Sequence, residues 1–127
     1  MSQAITRGIK VEVESEYMEE ESFPEKDYYM FTYNVIITNT GDQTVQLINR
    51  HWIITNAGGK MEEVRGPGVV GLQPKLVPGE VFEYSSFCPL DTGVGTMHGS
   101  YQMMSDDGDE FSVAIAPFVL SVPGMLH

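Results

Sequence analysis

Gly66-Pro67-Gly68-Val69-Val70-Gly71-Leu72-Gln73-Pro74-Lys75-Leu76-Val77-Pro78-Gly79-Glu80 admits two readings, and they belong to different folds. Gly66, Gly68 and Gly71 match G-x-G-x-x-G, the spacing that lets a backbone approach the pyrophosphate in dinucleotide-binding α/β proteins. That reading requires a strand before the glycines and a helix after them, so that amides and the helix dipole face the phosphates. Met61 to Arg65 can supply the strand. Pro74, Pro78 and Gly79 deny the helix, because proline lacks the amide donor and clashes with the preceding turn. The segment then reads as a long turn between two β-strands, with glycine wherever the backbone takes positive φ or passes close to a neighbour.

The flanking sequence repeats every second residue. Ile9, Val11 and Val13 alternate with Lys10, Glu12 and Glu14, a strand with one wet face. Met18 to Asp27 is acidic, contains Pro24 and reads as a loop. Tyr29, Phe31, Tyr33, Val35 and Ile37 share one face of a long strand that ends at the turn residues Asn39-Thr40-Gly41-Asp42. Val45 to Thr55 is the next strand. Its apolar phase changes from odd (Val45, Leu47) to even (Ile48, Trp52, Ile54), which predicts a bulge or bend near Asn49-Arg50. Asn56-Ala57-Gly58-Gly59 is a hairpin turn.

Beyond the glycine segment, Val81 to Ser86 and the run containing Met97, Gly99, Tyr101 and Met103 are strands. Asp106-Asp107-Gly108 turns the chain into a last strand through Phe111, Val113 and Ile115. Pro117 then marks an edge, a bulge or a change of sheet, because it cannot donate to the ladder. About seven or eight short strands without a helical segment predict an all-β, antiparallel two-sheet β-sandwich of the fibronectin type III or immunoglobulin kind, with Trp52 central in its core.

A chain of 127 residues suits a single domain, taken as residues 1–127, with one hydrophobic core. Hydrophobic residues at 42% and charged residues at 20% exclude wholesale disorder. Eighteen acidic against seven basic residues leave a net charge of −11, which repels nucleic-acid backbones and anionic membranes. Nucleic acid is therefore not an expected partner. Cys88 is the only cysteine, so no internal disulfide forms and a reducing compartment is expected. No apolar core of signal-peptide length opens the chain, and no run approaches the roughly 18 apolar residues of a membrane span. The expectation is a cytoplasmic protein without membrane insertion.

Chemistry-bearing residues are sparse. His51, His98, His127 and Cys88 have no ligand spacing such as H-x-x-x-H or C-x-x-C, so no metal site and no cofactor are predicted. Asp106-Asp107-Gly108-Asp109-Glu110 lacks the alternating ligands of a calcium loop and reads as a solvated turn. Glu19, Glu20 and Glu21 read as a wet loop. Weak, unselective association of divalent cations with these acidic loops follows from charge alone. Ser85 and Ser86 lack the elbow of a serine hydrolase. Cys88 precedes Pro89 and reads as a buried, inert thiol. His51 alternates with Trp52 and is expected on the outer face. None of these groups makes an acid–base or nucleophile–base pair, so no enzyme is expected.

Several segments fall together in one order: Val45-Gln46-Leu47, Arg50-His51-Trp52-Ile53-Ile54-Thr55, Gly66-x-Gly68-Val69-Val70-Gly71-x-Gln73-Pro74, Pro78-Gly79-Glu80-x-Phe82-x-Tyr84 and Gly95-x-Met97-x-Gly99-x-Tyr101-x-Met103, continued by Phe111, Phe118 and Leu120. On these segments the chain resembles bacterial ApaG proteins over nearly its whole length. It departs from their usual pattern at Ser85-Ser86-Phe87, at Gly93 and at Ala116-Pro117-Phe118. The resemblance implies a fibronectin type III-like sandwich, an association with cobalt resistance and magnesium efflux, and kinship with protein-interaction domains. The expected contact surface is the glycine–proline loop, with Arg65, Gly66, Gly68, Gly71, Gln73 and Lys75 as candidate binding residues and an unidentified protein as partner. The alternative is a sensor of a phosphate ligand, a nucleotide or diadenosine polyphosphate, in which Arg65 and Lys75 supply the cations.

Overall fold

The structure is a computed structural model that describes residues 1–124; His127 of the candidate ligand inventory lies outside the described residues. Among the described residues nine strands run in chain order: β1 Ser2–Thr6, β2 Ile9–Tyr17, β3 Tyr29–Asn39, β4 Val45–Asn56, β5 Met61–Pro67, β6 Lys75–Leu76, β7 Val81–Leu90, β8 Val94–Ser105 and β9 Glu110–Ser121. They form two antiparallel sheets. One has the order β1-β2-β3-β7, and the other β5-β4-β8-β9 with β6 also paired to β4. The expected sandwich is present, with β1 and β6 added to the strands legible in the sequence. β1 joins β2 through a two-residue turn at Arg7-Gly8, both at positive φ, so Thr6 pairs with Ile9. The acidic segment between β2 and β3 is loop, broken by 3-10 turns at Glu19–Glu21 and Pro24–Lys26.

Alternation decides the packing. Ile9, Val11 and Val13 of β2, Phe31, Tyr33, Val35 and Ile37 of β3, and Tyr84, Cys88 and Leu90 of β7 face the second sheet, and all are buried. Trp52, 2% exposed, is the hub: its ring lies 5.2 Å from Tyr33 across the sheets, 6.3 Å from Tyr101 and 5.9 Å from Phe118. These edge-on contacts are a favoured geometry for aromatic pairs. The hydroxyls of Tyr84 and Tyr101, one from each sheet, hydrogen-bond to each other inside the core.

Two irregularities shape the second sheet. Leu47 pairs with Met103 and Asn49 with Gln102, leaving Ile48 as the extra residue of a bulge, one position before the stretch where the phase change pointed. Leu47 is buried on one side of the bulge, and Trp52 and Ile54 carry the inward phase on the other. At Pro117 the outcome is a bulge on an edge strand: Met97 pairs with Phe118 and Gly99 with Ile115, so Ala116-Pro117 oppose His98 alone. A proline at such a place removes no ladder bond.

At one end of the sandwich sits Asn39, fully buried at the close of β3. Its side-chain amide donates to the carbonyls of Gln43 (2.8 Å) and Leu76 (3.0 Å), and its side-chain oxygen accepts from the Gly41 amide (3.0 Å). One side chain thus ties the β3–β4 turn to the segment that leads out of the glycine loop. No helix among the described residues is long and apolar enough to cross a membrane.

Candidate functional site

β5 and β6 both pair with β4 and on the same edge, β5 along Asn49–Thr55 and β6 along Val45–Gln46. The chain leaves that edge after Pro67 and returns at Lys75. The gap between the two pairings coincides with the Ile48 bulge, and the bulge supplies the anchor. The Ile48 carbonyl accepts from the Gly68 amide (2.8 Å) and from Gln73 Nε2 (2.9 Å). The Leu47 amide donates to the Pro74 carbonyl at 3.0 Å, and Gln46 Nε2 to the Gln73 carbonyl at 3.1 Å. Bulge and loop therefore satisfy each other's backbone groups.

Between these anchors the loop makes a miniature hairpin. Val69 and Leu72 exchange two backbone hydrogen bonds of 2.8 Å around Val70 (φ 44°) and Gly71 (φ 81°). Positive φ at both central residues is the hairpin turn that matches strand twist. Gly71 takes that conformation freely, whereas Val70 is β-branched and strained there. Val69 is buried as a plug, while Val70 (56% exposed) and Leu72 (53% exposed) project into solvent.

Each glycine has its own reason, and none requires a pyrophosphate: Gly71 answers only to its positive φ, with open space where a Cβ would sit. A Cβ on Gly68 would collide with the Leu72 carbonyl oxygen, and its φ is 62°. A Cβ on Gly66 would come within 2.9 Å of Nη2 of Arg50. The Arg50 guanidinium occupies that space and donates from Nη1 to the carbonyls of Pro67 and Gly68, both at 3.0 Å. Among the described residues no helix follows Gly71; the next element is the two-residue β6.

The candidate residues divide. Gly66, Gly68, Gly71 and Gln73 build the loop. Arg65 and Lys75 are each engaged by a carboxylate: Arg65 Nη2 pairs with Glu63 at 3.2 Å on the exposed β5 strand, and Lys75 Nζ lies 3.9 Å from Asp106. The Arg65 guanidinium, and after it His51, whose Nε2 lies 3.2 Å from the same carboxylate, hold the Glu63 carboxyl below its usual range. Such exposed pairs contribute little stability.

Arg50 is the residue that sequence reasoning missed. Past the bulge, Arg50 has the same phase as Trp52 and Ile54, so it lies on the inward side at the sandwich rim. The phase change itself was the available signal. Beside Arg50 and beneath the Val70-Gly71 turn lies a recess of about 220 Å³ lined by Tyr33, Arg50, Val69, Val70, Gly71, Tyr84 and Ser86. Burial pushes the Tyr33 phenol above its ordinary pKa, against a nearby Ser86 that pulls it down, and it raises Tyr84 and Tyr101 further.

Other candidate chemistry resolves into local structure. Cys88 is 2% exposed, and burial pushes its thiol up to about 11, so at neutral pH it is a protonated thiol, not a nucleophile. Asp107 accepts from the Ser105 hydroxyl, from the Asp109 amide (3.1 Å) and from Gln43 Nε2 (3.3 Å), and these hydrogen bonds, Ser105 foremost, lower its pKa. Among the described residues no group of three His, Cys, Asp or Glu side chains gathers as a metal site.

Comparison with known proteins converges on one family. A family model described as "ApaG domain" matches residues 19–105. The chain is 51% identical over 127 residues to Protein ApaG of Azoarcus sp. (strain BH72), covering all of both chains. It is 52% identical to Protein ApaG of Rhizobium etli, covering all of this chain and 98% of the relative. Among solved structures, the putative ApaA protein from Bordetella pertussis superposes with a TM-score of 0.89 at 50% identity, over 91% of this chain and 94% of that one.

Proposed function

The chain belongs to the ApaG family, and we propose that it is a non-enzymatic, cytoplasmic protein-interaction module whose contact surface is built on the Gly66–Gly79 loop. The observation that carries this reading is the tip of the loop. Val70 and Leu72 hold apolar side chains in solvent on a frame anchored by buried Val69, and Val70 does so in a conformation that disfavours valine. Strain of this kind persists where the surrounding structure over-determines it, and such places cluster at binding sites. A rigid sandwich carrying an apolar loop tip is a common way to present a contact residue. The link to cobalt resistance and magnesium efflux that family resemblance implies would be indirect, through a partner that moves the ion.

The test is capture from lysate with the wild-type chain beside a Val70→Asn/Leu72→Ser double variant, with a thermal-shift panel of nucleotides in parallel. A reproducible partner retained by wild type and lost by a variant that melts no lower supports the module. Stabilisation by a nucleotide, with equal capture by both chains, would favour the ligand-sensor alternative. Nothing in the placement of Arg65 and Lys75, each paired with a carboxylate, favours that alternative in its original form.

A further inference from the structure

We propose that the recess under the Val70-Gly71 turn is a binding site for a small tetrahedral oxyanion, a single phosphoryl group, with Arg50 as its charge partner. The inference is independent of the protein-contact reading: it concerns the inner side of the loop, whereas the contact residues Val70 and Leu72 display their side chains outward.

Charge pairing is the first observation. Eighteen acidic residues surround seven cations in this chain. Arg7, Lys10, Arg65 and Lys75 each have a carboxylate within 4.0 Å, and Lys26 and Lys60, which have none among the described residues, are exposed to solvent. Arg50 is half-buried at the rim of the core, where a partner would be worth most, and it has none among the described residues. Of the five donors a guanidinium carries, two carbonyl contacts are accounted for, those to Pro67 and Gly68. A partly desolvated guanidinium with no carboxylate partner and with donors to spare is a recognition element for phosphate and related anions.

The lining supplies the rest. Tyr33, Tyr84 and Ser86 line the same recess; the Tyr84 hydroxyl is taken up by Tyr101, and burial keeps the Tyr33 phenol protonated, hence able to donate. The Val70 and Gly71 amides have no acceptor among the described residues. At about 220 Å³ the recess is below the roughly 300–1,000 Å³ of sites that enclose drug-sized ligands, so it suits one phosphoryl group and not a whole nucleotide. The anion would come from inorganic phosphate or from the terminal group of a phosphate monoester.

Trp52, the only tryptophan, sits 5.2 Å from the Tyr33 ring and serves as an optical reporter. Inorganic phosphate and methyl phosphate are titrated into the full chain at constant ionic strength set with sodium chloride, following Trp52 fluorescence and amide NMR shifts, with sodium acetate as the planar control. The expected result is saturable binding with shifts centred on Val70 and Gly71, no saturation with acetate, and the tighter of the two phosphates identifying the source. Arg50→Gln should abolish binding. Because Arg50 also ties down Pro67 and Gly68, Tyr33→Phe is the second variant; it leaves that tie intact and should weaken binding roughly tenfold. Phosphate responses no larger than those to chloride, equal saturation by acetate, or wild-type affinity in either folded variant would overturn the proposal. None of those outcomes bears on partner capture by the loop tip.

Discussion

Gly68 and Gly66 predict a graded response to alanine. At Gly68 the obstacle is the Leu72 backbone and φ is positive, so neither neighbour nor chain can yield cheaply. Gly68→Ala should cost about 2 kcal/mol or more, read from urea unfolding. At Gly66 the obstacle is the end of a flexible arginine. Gly66→Ala should cost less, and its effect should show instead as a displaced Arg50. Val70 predicts the opposite sign. Asparagine tolerates the left-handed region that valine resists, so Val70→Asn should stabilise by about 1 kcal/mol and raise the melting temperature by a few degrees. A lower melting temperature would mean that the Val70 side chain contributes packing that its exposure does not suggest. G-x-G-x-x-G was legible as a turn because the prolines forbid a helix. The separate duties of Gly66 and Gly68 were not legible, because they depend on how the chain folds back: Arg50 brought from β4 for Gly66, and Leu72 returning within the loop for Gly68.

Between elements, the two sheets are joined by apolar contact and by buried polar links, the Asn39–Leu76 bond of β3 and β6 and the Tyr84–Tyr101 hydroxyl pair of β7 and β8. Removing one hydroxyl strands the other in the core. Tyr84→Phe or Tyr101→Phe should each cost about 1–3 kcal/mol, while the double variant should cost little more than either alone. Additive losses in the double-mutant cycle would show that each hydroxyl has another partner. Strand phase was readable from β2, β3 and the start of β4, because one wet and one dry face leave a period of two. The β4 bulge was readable as a phase change, but its position moved by one residue. That position is set by which carbonyl the loop needs, and Gly68 and Gln73 take that of Ile48. β1 and β6 lacked a pattern of their own. β6 is two residues long and exists because β4 offers an unpaired edge beyond the bulge.

For the molecule as a whole, the ionisable groups in the core are acids held neutral. Cys88 rises from an ordinary 9.0 to about 11 and Tyr33, Tyr84 and Tyr101 rise above 10.0, all chiefly through desolvation. The unfolded chain releases these protons at lower pH than the folded one. Their contribution to stability is therefore complete below about pH 9 and is lost as pH climbs, first through the Cys88 window and then beyond 10 for the phenols. Urea midpoints should hold between pH 7 and 8.5 and fall steeply above pH 10. Cys88→Ala should remove the portion of the decline that begins near 9, and a flat profile to pH 11 would contradict the burial of these groups. The sequence by itself determined the fold class, the central place of Trp52, the inert burial of Cys88 and the turn at Gly66–Gly79, because each follows from local periodicity or backbone chemistry. The tertiary structure alone decided that Arg65 and Lys75 are each taken up by a carboxylate, that Arg50 turns inward beside Tyr33 and Tyr84, and that a recess opens beneath Val70. Those facts depend on where two sheets meet and which edge a loop closes over, and distance along the chain does not encode them.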